Sequence, residues 1–127
     1  MTKDLKARGD KVRREVLGDA RVDHTTRDPD ALDAPLIDFL TKNAWGDIWS
    51  RPGLDRRARS ILNLGMLSAL NRSEELKLHI RGALRNGVTR AEIQEVFLQV
   101  AIYCGAPAAL ASFDVAKRVF EEDNAEV

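Results

Sequence analysis

The sequence predicts an all-α fold of about six helices. Apolar residues recur at intervals of three and four through most of the chain after Pro35, and no stretch alternates apolar and polar side chains as a half-buried strand does. The interruptions carry helix punctuation: Pro52-Gly53, Asn86-Gly87, Thr89 followed by Glu92, and Gly105 followed by Pro107.

Each element follows in turn. Residues 4–17 hold Leu5, Val12, Val16 and Leu17 on an otherwise charged helix, and Gly18 suits its end. Residues 18–35 crowd Gly, Asp, Thr and Pro and read as a loop containing His24. From Pro35, Leu36, Ile37, Phe39, Leu40, Ala44, Trp45, Ile48 and Trp49 follow a helical period that Gly46 weakens and Pro52 ends. Asp55 suits the N-cap of a helix over 56–70, whose apolar residues wrap most of its circumference and mark it as central. Ser73 suits the cap of a helix over 74–86, stopped at Gly87. Thr89 and Glu92 form a capping box for a helix with Ile93, Val96, Phe97, Val100 and Ala101 on one face. Gly105 breaks it, Pro107 suits the first turn of the last helix, and the tail after about residue 121 reads as frayed.

Composition bounds the function. The 127 residues suit one hydrophobic core, with 44% apolar and 31% charged residues. Twenty basic and twenty acidic residues balance, which argues against nucleic acid, whose phosphates call for a clustered basic excess. The single cysteine, Cys104, excludes a CxxC redox or zinc site. The N-terminal residues are charged and lack the apolar core of a signal peptide, and no run reaches the length of a membrane span, so a soluble cytoplasmic protein is expected. HExxH, P-loop, GxGxxG and GxSxG motifs are absent from the sequence.

Three groups of residues are candidates for chemistry. On the helix over 74–86, Arg72, Glu75, His79, Gly82 and Asn86 form a stripe apart from the apolar face, with Gly82 offering a hollow below the imidazole. That stripe reads either as a pocket wall or as a solvated face with a charge pattern. Trp45 and Trp49 share a face and precede Arg51, a combination suited to gripping a carboxylate or to plain core packing. Cys104, beside Tyr103, reads first as a buried inert thiol.

The segments "WGDIWSRPGLDRRARSILNLGMLSALNR" and "EELKLHIRGALRNGVTRAEIQEVFLQVAIYCGAPAA" strongly resemble the carboxymuconolactone decarboxylase family, and within it the enzymes of the protocatechuate branch of the β-ketoadipate pathway. The resemblance covers residues 12–120, with a superfamily core at 55–115 and a helical extension over 1–54, and makes residues 1–127 one family domain. It implies an alkylhydroperoxidase D-like helical protomer, a homo-oligomer (a hexamer or trimer), and a cofactor-free decarboxylation of a dicarboxylate lactone. It implies His79 as proton donor or carbonyl polariser, Glu75 orienting the ring and favouring its protonated form, and Arg51 and Arg72 binding carboxylate. Trp45 and Trp49 would exclude water, and Cys104 would lie near the pocket. Superfamily peroxidases carry CxxCxxxH on the helix matching 72–79; Arg72 and Glu75 stand where the cysteines fall, so a thiol relay is lost. An alkylhydroperoxidase-like reductase and a noncatalytic oligomer binding an aromatic-acid metabolite are the alternative functions. Relatives often carry Asn where Leu110 follows "YCGAPAA", a departure that bears on substrate fit.

Overall fold

A computed structural model describes residues 2–26 and 30–125. Those residues form seven α-helices and one π-helical segment, with no strand among them. They divide into two compact units, one up to Arg56 and one from Arg57 onward.

In the first unit, α1 (Thr2–Leu17) ends at Gly18, whose φ of 92° is the left-handed conformation glycine adopts at helix ends. The loop expected after it is instead a short helix, α2 (Asp19–Thr26), as far as the described residues run. Two things hold α2 in place that composition does not reveal. Val22 is fully buried, and Arg14 of α1 binds Asp19 and Asp23 while also holding Asp10 one turn back. This triple pairing raises the pKa of the Arg14 guanidinium.

The helix expected from Pro35 to Trp49 is α3 (Ala34–Leu40) continued by a π-helical segment, Thr41–Ile48. The wider turn is seen in the Trp49 amide, which donates to the Ala44 carbonyl five residues back at 2.8 Å. It brings Trp45 and Trp49 into a stacked pair with centroids 4.9 Å apart, and both rings are buried with Val12 and Val16. Leu36, Phe39, Leu40 and Ile48, placed by period on the same apolar face, are exposed. Gly46 does more than weaken the helix. A Cβ there would run into the Leu5 carbonyl oxygen, and one on Gly9 into the Thr41 carbonyl, so α1 and the π-helical segment touch backbone to backbone.

The second unit holds α4 (Arg56–Ala69, from Arg57 onward), α5 (Ser73–Arg85), α6 (Arg90–Cys104) and α7 (Ala106–Ala125). Its core gathers Leu64, Leu76, Ile80, Ile93, Phe97, Val115 and Val119. α4 is not apolar-buried all round: Leu62, Met66 and Leu70 are 50%, 44% and 64% exposed, leaving an apolar stripe at helical spacing. Asn71 takes a left-handed φ of 59° in the turn to α5. Ser73 opens α5 as its first helical residue, and Arg72 occupies the cap position without a side-chain cap bond. The stop at Gly87 (φ 90°) and the reciprocal capping box of Thr89 and Glu92 form as the sequence predicts. α7 runs beyond residue 121 because Glu122 pairs with Lys77 and Arg81 of α5, which fastens the acidic end that reads as frayed.

Candidate active site

Helical spacing puts Arg72, Glu75, His79, Gly82 and Asn86 along one line of α5, and the structure grades that line from solvent to interior. Arg72 and Glu75 are exposed, His79 and Asn86 half-buried, and Gly82 buried, so the hollow expected below the imidazole is closed to solvent. The lower part of the line meets α4. Asn86 Nδ2 donates to Ser60 Oγ at 2.9 Å, and Asn63 Nδ2 donates to His79 Nδ1 at 3.2 Å. The two bonds pair 60 with 86 and 63 with 79, so α4 and α5 run antiparallel here in a defined register.

Burial pushes the His79 pKa down to about 4, and the Glu75 carboxylate one turn away pulls it up without prevailing. The expectation is that Glu75 favours the protonated form. Glu75 acts in that direction, but desolvation is the larger effect and the ring is neutral near pH 7. A neutral ring that accepts at Nδ1 carries its proton on Nε2. Such a group offers an N–H donor to an oxygen on which charge develops.

Stability carries the same signature. His79 has a folded pKa near 4 against 6.5 for the unconstrained ring. The unfolded chain thus takes up the proton first as pH falls. The stability His79 contributes above pH 6.5 is lost between about 6.5 and 4, by at most about 3 kcal/mol and less in proportion to the ring's remaining exposure. Urea unfolding at pH 7 and pH 4.5 is expected to show a larger loss for wild type than for His79→Gln. Equal losses would place the ring in water.

Trp45, Trp49 and Arg51 lie in the first unit. Trp49 and Arg51 line an open cleft of about 500 Å³ together with Arg8, Lys11 and Arg56 and with the acidic Glu15 and Asp55, Arg56 being paired with Glu15 at 3.3 Å, so the lining carries both signs with a basic excess. Trp45 is buried behind its stacking partner and does not line that cleft. Cys104 is exposed at the end of α6, which overturns the reading of a buried thiol. Leu110 is exposed on α7. Among the described residues no group of three or more His, Cys, Asp or Glu side chains comes together to hold a metal ion. Among the described residues no helix is long and apolar enough to cross a membrane.

Asn63 is the residue that sequence reasoning missed. Its signal was available: it is the one polar side chain in the run Ile61 to Leu64, on a helix otherwise read as wholly apolar there.

Residues 34–118 match the carboxymuconolactone decarboxylase family. A 4-carboxymuconolactone decarboxylase of Acinetobacter baylyi is 39% identical over 114 residues, covering 90% of this chain and 85% of that protein. A nitrosuccinic acid decarboxylase of Metarhizium robertsii is 41% identical over 114 residues, covering 90% and 80%. An uncharacterized 15.0 kDa protein of Paracoccus denitrificans is 31% identical over 95 residues, covering 72% and 71%. With its helical architecture and the family match across more than half its length, the chain belongs to the carboxymuconolactone decarboxylase family.

Proposed function

We propose that this protein is a carboxy-lyase that converts 4-carboxymuconolactone to the β-ketoadipate enol-lactone without a cofactor, in the cytoplasmic catabolism of protocatechuate. The observation that carries the reading is the half-buried, neutral His79 held through Nδ1 by Asn63.

The chemistry asks for what that ring offers. The leaving carboxylate sits on a carbon conjugated, through the ring double bond, to the lactone carbonyl. When its C–C bond breaks, the electron pair moves through the ring to the carbonyl oxygen, CO2 departs, and a furan-like dienolate remains. A proton taken up from solvent then adds to the ring α-carbon, so that one proton is consumed for each CO2 released. The substrate is its own electron sink, so the protein's task is to stabilise the oxygen that becomes anionic. His79 Nε2–H serves as that donor. Of the two roles the resemblance implies for His79, carbonyl polariser fits a neutral ring and imidazolium proton donor does not. Arg72, exposed at the start of α5, grips the spectator carboxylate. Arg51 is assigned the same task on the chemistry of its cleft, and Glu75 orients the imidazole from one turn back. Trp45 and Trp49, as a stacked pair, are assigned the task of excluding water from the substrate. Cys104 takes no chemical role, and one exposed thiol does not make the two-thiol relay of a peroxidase.

The relative named for nitrosuccinic acid supports the same logic, because a nitro group beside the leaving carboxylate also collects the electron pair on oxygen. It also supplies the competing substrate. We expect kcat/KM for 4-carboxymuconolactone to exceed that for nitrosuccinate by about 100-fold or more, the discrimination a site gains by pairing substrate polar groups. The reverse order would transfer the function to the nitro acid.

The reading includes a homo-oligomer, a trimer or hexamer, supported by the outward face of α4, where Leu62, Met66, Ala69 and Leu70 stand exposed beside Gly65. Gly65 discriminates. Within the protomer a Cβ there meets nothing within 4 Å, so Gly65→Ala is expected to stabilise an isolated chain by about 1 kcal/mol through helix propensity. If a second copy packs on this face, the same substitution is expected to lower both the melting temperature and the oligomer fraction in light scattering. Stabilisation with an unchanged mass would remove α4 from the interface.

A further inference from the structure

We infer that Asn63 is a positioning residue for the decarboxylation: by donating from Nδ2 to Nδ1 of His79, it holds the imidazole in the tautomer with the proton on Nε2, so that the ring presents a donor rather than a lone pair. The inference rests on the proposed decarboxylase reading for its consequence in turnover, but the tautomer itself is a property of the resting protein.

Three observations carry it. The Asn63–His79 separation of 3.2 Å joins side chains from different helices, and the second bond between those helices, Asn86 to Ser60 at 2.9 Å, holds their register. Asn63 therefore meets the ring edge at a place the backbone sets. The ring is half-buried, so a donor from the protein at Nδ1 serves a nitrogen that a surface histidine would leave to water. Finally, the partner is an amide, not a carboxylate. A carboxylate can only accept, so it would draw the proton to Nδ1 and favour the imidazolium; an amide nitrogen can only donate, which forces Nδ1 to accept. The atom that faces the ring, Nδ2 and not the amide oxygen, thus selects which nitrogen carries the proton. A neutral donor stabilises an oxygen on which charge is growing without holding a buried cation in the resting site.

The test uses the full-length protein labelled with 15N at histidine. His24, exposed on α2, is the only other imidazole, and His24→Gln leaves a single ring in the spectrum. At pH 7 the expected spectrum shows His79 with an unprotonated Nδ1 and a protonated Nε2. Asn63→Asp, which preserves shape, is expected to move the proton to Nδ1. Asn63→Leu is expected to give averaged, mixed tautomers. Turnover is expected to follow, with kcat of Asn63→Asp falling about 10-fold or more and KM nearly unchanged, the loss typical of an orienting partner. A purely structural asparagine would leave the tautomer where it was when replaced.

Protonated Nδ1 in wild type overturns the inference, and so does an Asn63→Asp spectrum identical to wild type. Should Asn63→Leu fail to fold, the isosteric Asn63→Asp carries the decision. If the wild-type tautomer is as stated but neither wild type nor variants release CO2, the decarboxylase reading fails and the tautomer assignment stands by itself.

Discussion

His79→Ala is expected to lower CO2 release from 4-carboxymuconolactone by about 100-fold or more, the size associated with removing one donor from a preorganised oxyanion site. The loss should fall mainly on kcat, because the ring's hydrogen bond strengthens as charge moves onto the lactone oxygen. His79→Gln keeps an amide N–H and should recover part of the rate, which a proton-transfer role would not permit. Circular dichroism and light scattering of both variants check that helix content and assembly match wild type. An unchanged rate in His79→Ala would move the chemistry off α5, with the arginines the next candidates.

Gly9→Ala is expected to unfold the first unit at markedly lower denaturant. Helix propensity by itself would make this substitution favourable by about 1 kcal/mol. Sterics oppose it: the new Cβ would fall on the Thr41 carbonyl oxygen and crowd the Gly46 amide nitrogen, backbone atoms that no rotamer change relieves. α1 would have to lift from the π-helical segment, breaking the 2.8 Å bond from Arg8 Nε to the Gly46 carbonyl and loosening Val12, Val16, Trp45 and Trp49. We expect a cost of roughly 3 kcal/mol, at the upper end for overpacking. Both tryptophans lie in this unit, so fluorescence during urea unfolding reports on it directly. Gly53→Ala, where a Cβ meets nothing within 4 Å, is the control and should leave the midpoint nearly unchanged. A Gly9→Ala protein as stable as wild type would mean that α1 and the π-helical segment do not approach so closely.

What was legible in the sequence was local. The glycine stop at Gly87, the break at Gly105 and the capping box of Thr89 and Glu92 depend on residues a few positions apart, and each formed where its pattern stood. What was not legible came from contacts between distant residues. α2 looks like loop because its composition is loop-like, and it is held by Arg14 from the preceding helix. The acidic end of α7 is fixed by two cations 41 and 45 positions away. The π-helical turn escaped because an apolar pattern over eight residues does not separate a π period from an α period. Gly9 and Gly46, 37 positions apart, give no sign in sequence that their backbones meet. In the site, the line from Arg72 to Asn86 was visible because helical spacing is regular. The partner that sets the state of His79 was not, since Asn63 lies 16 residues away on another helix. That Glu75 favours the protonated ring was legible from two neighbours on one face; that burial outweighs it was not, because burial depends on the whole unit.

The most direct measurement is CO2 release by purified wild-type protein from freshly generated 4-carboxymuconolactone, with a metal chelator present and no thiol donor added. Release at a rate unaffected by the chelator, with the enol-lactone appearing in equal amount, is the result predicted for a site whose substrate accepts its own electrons. No release, or release that stops with the chelator, would contradict it.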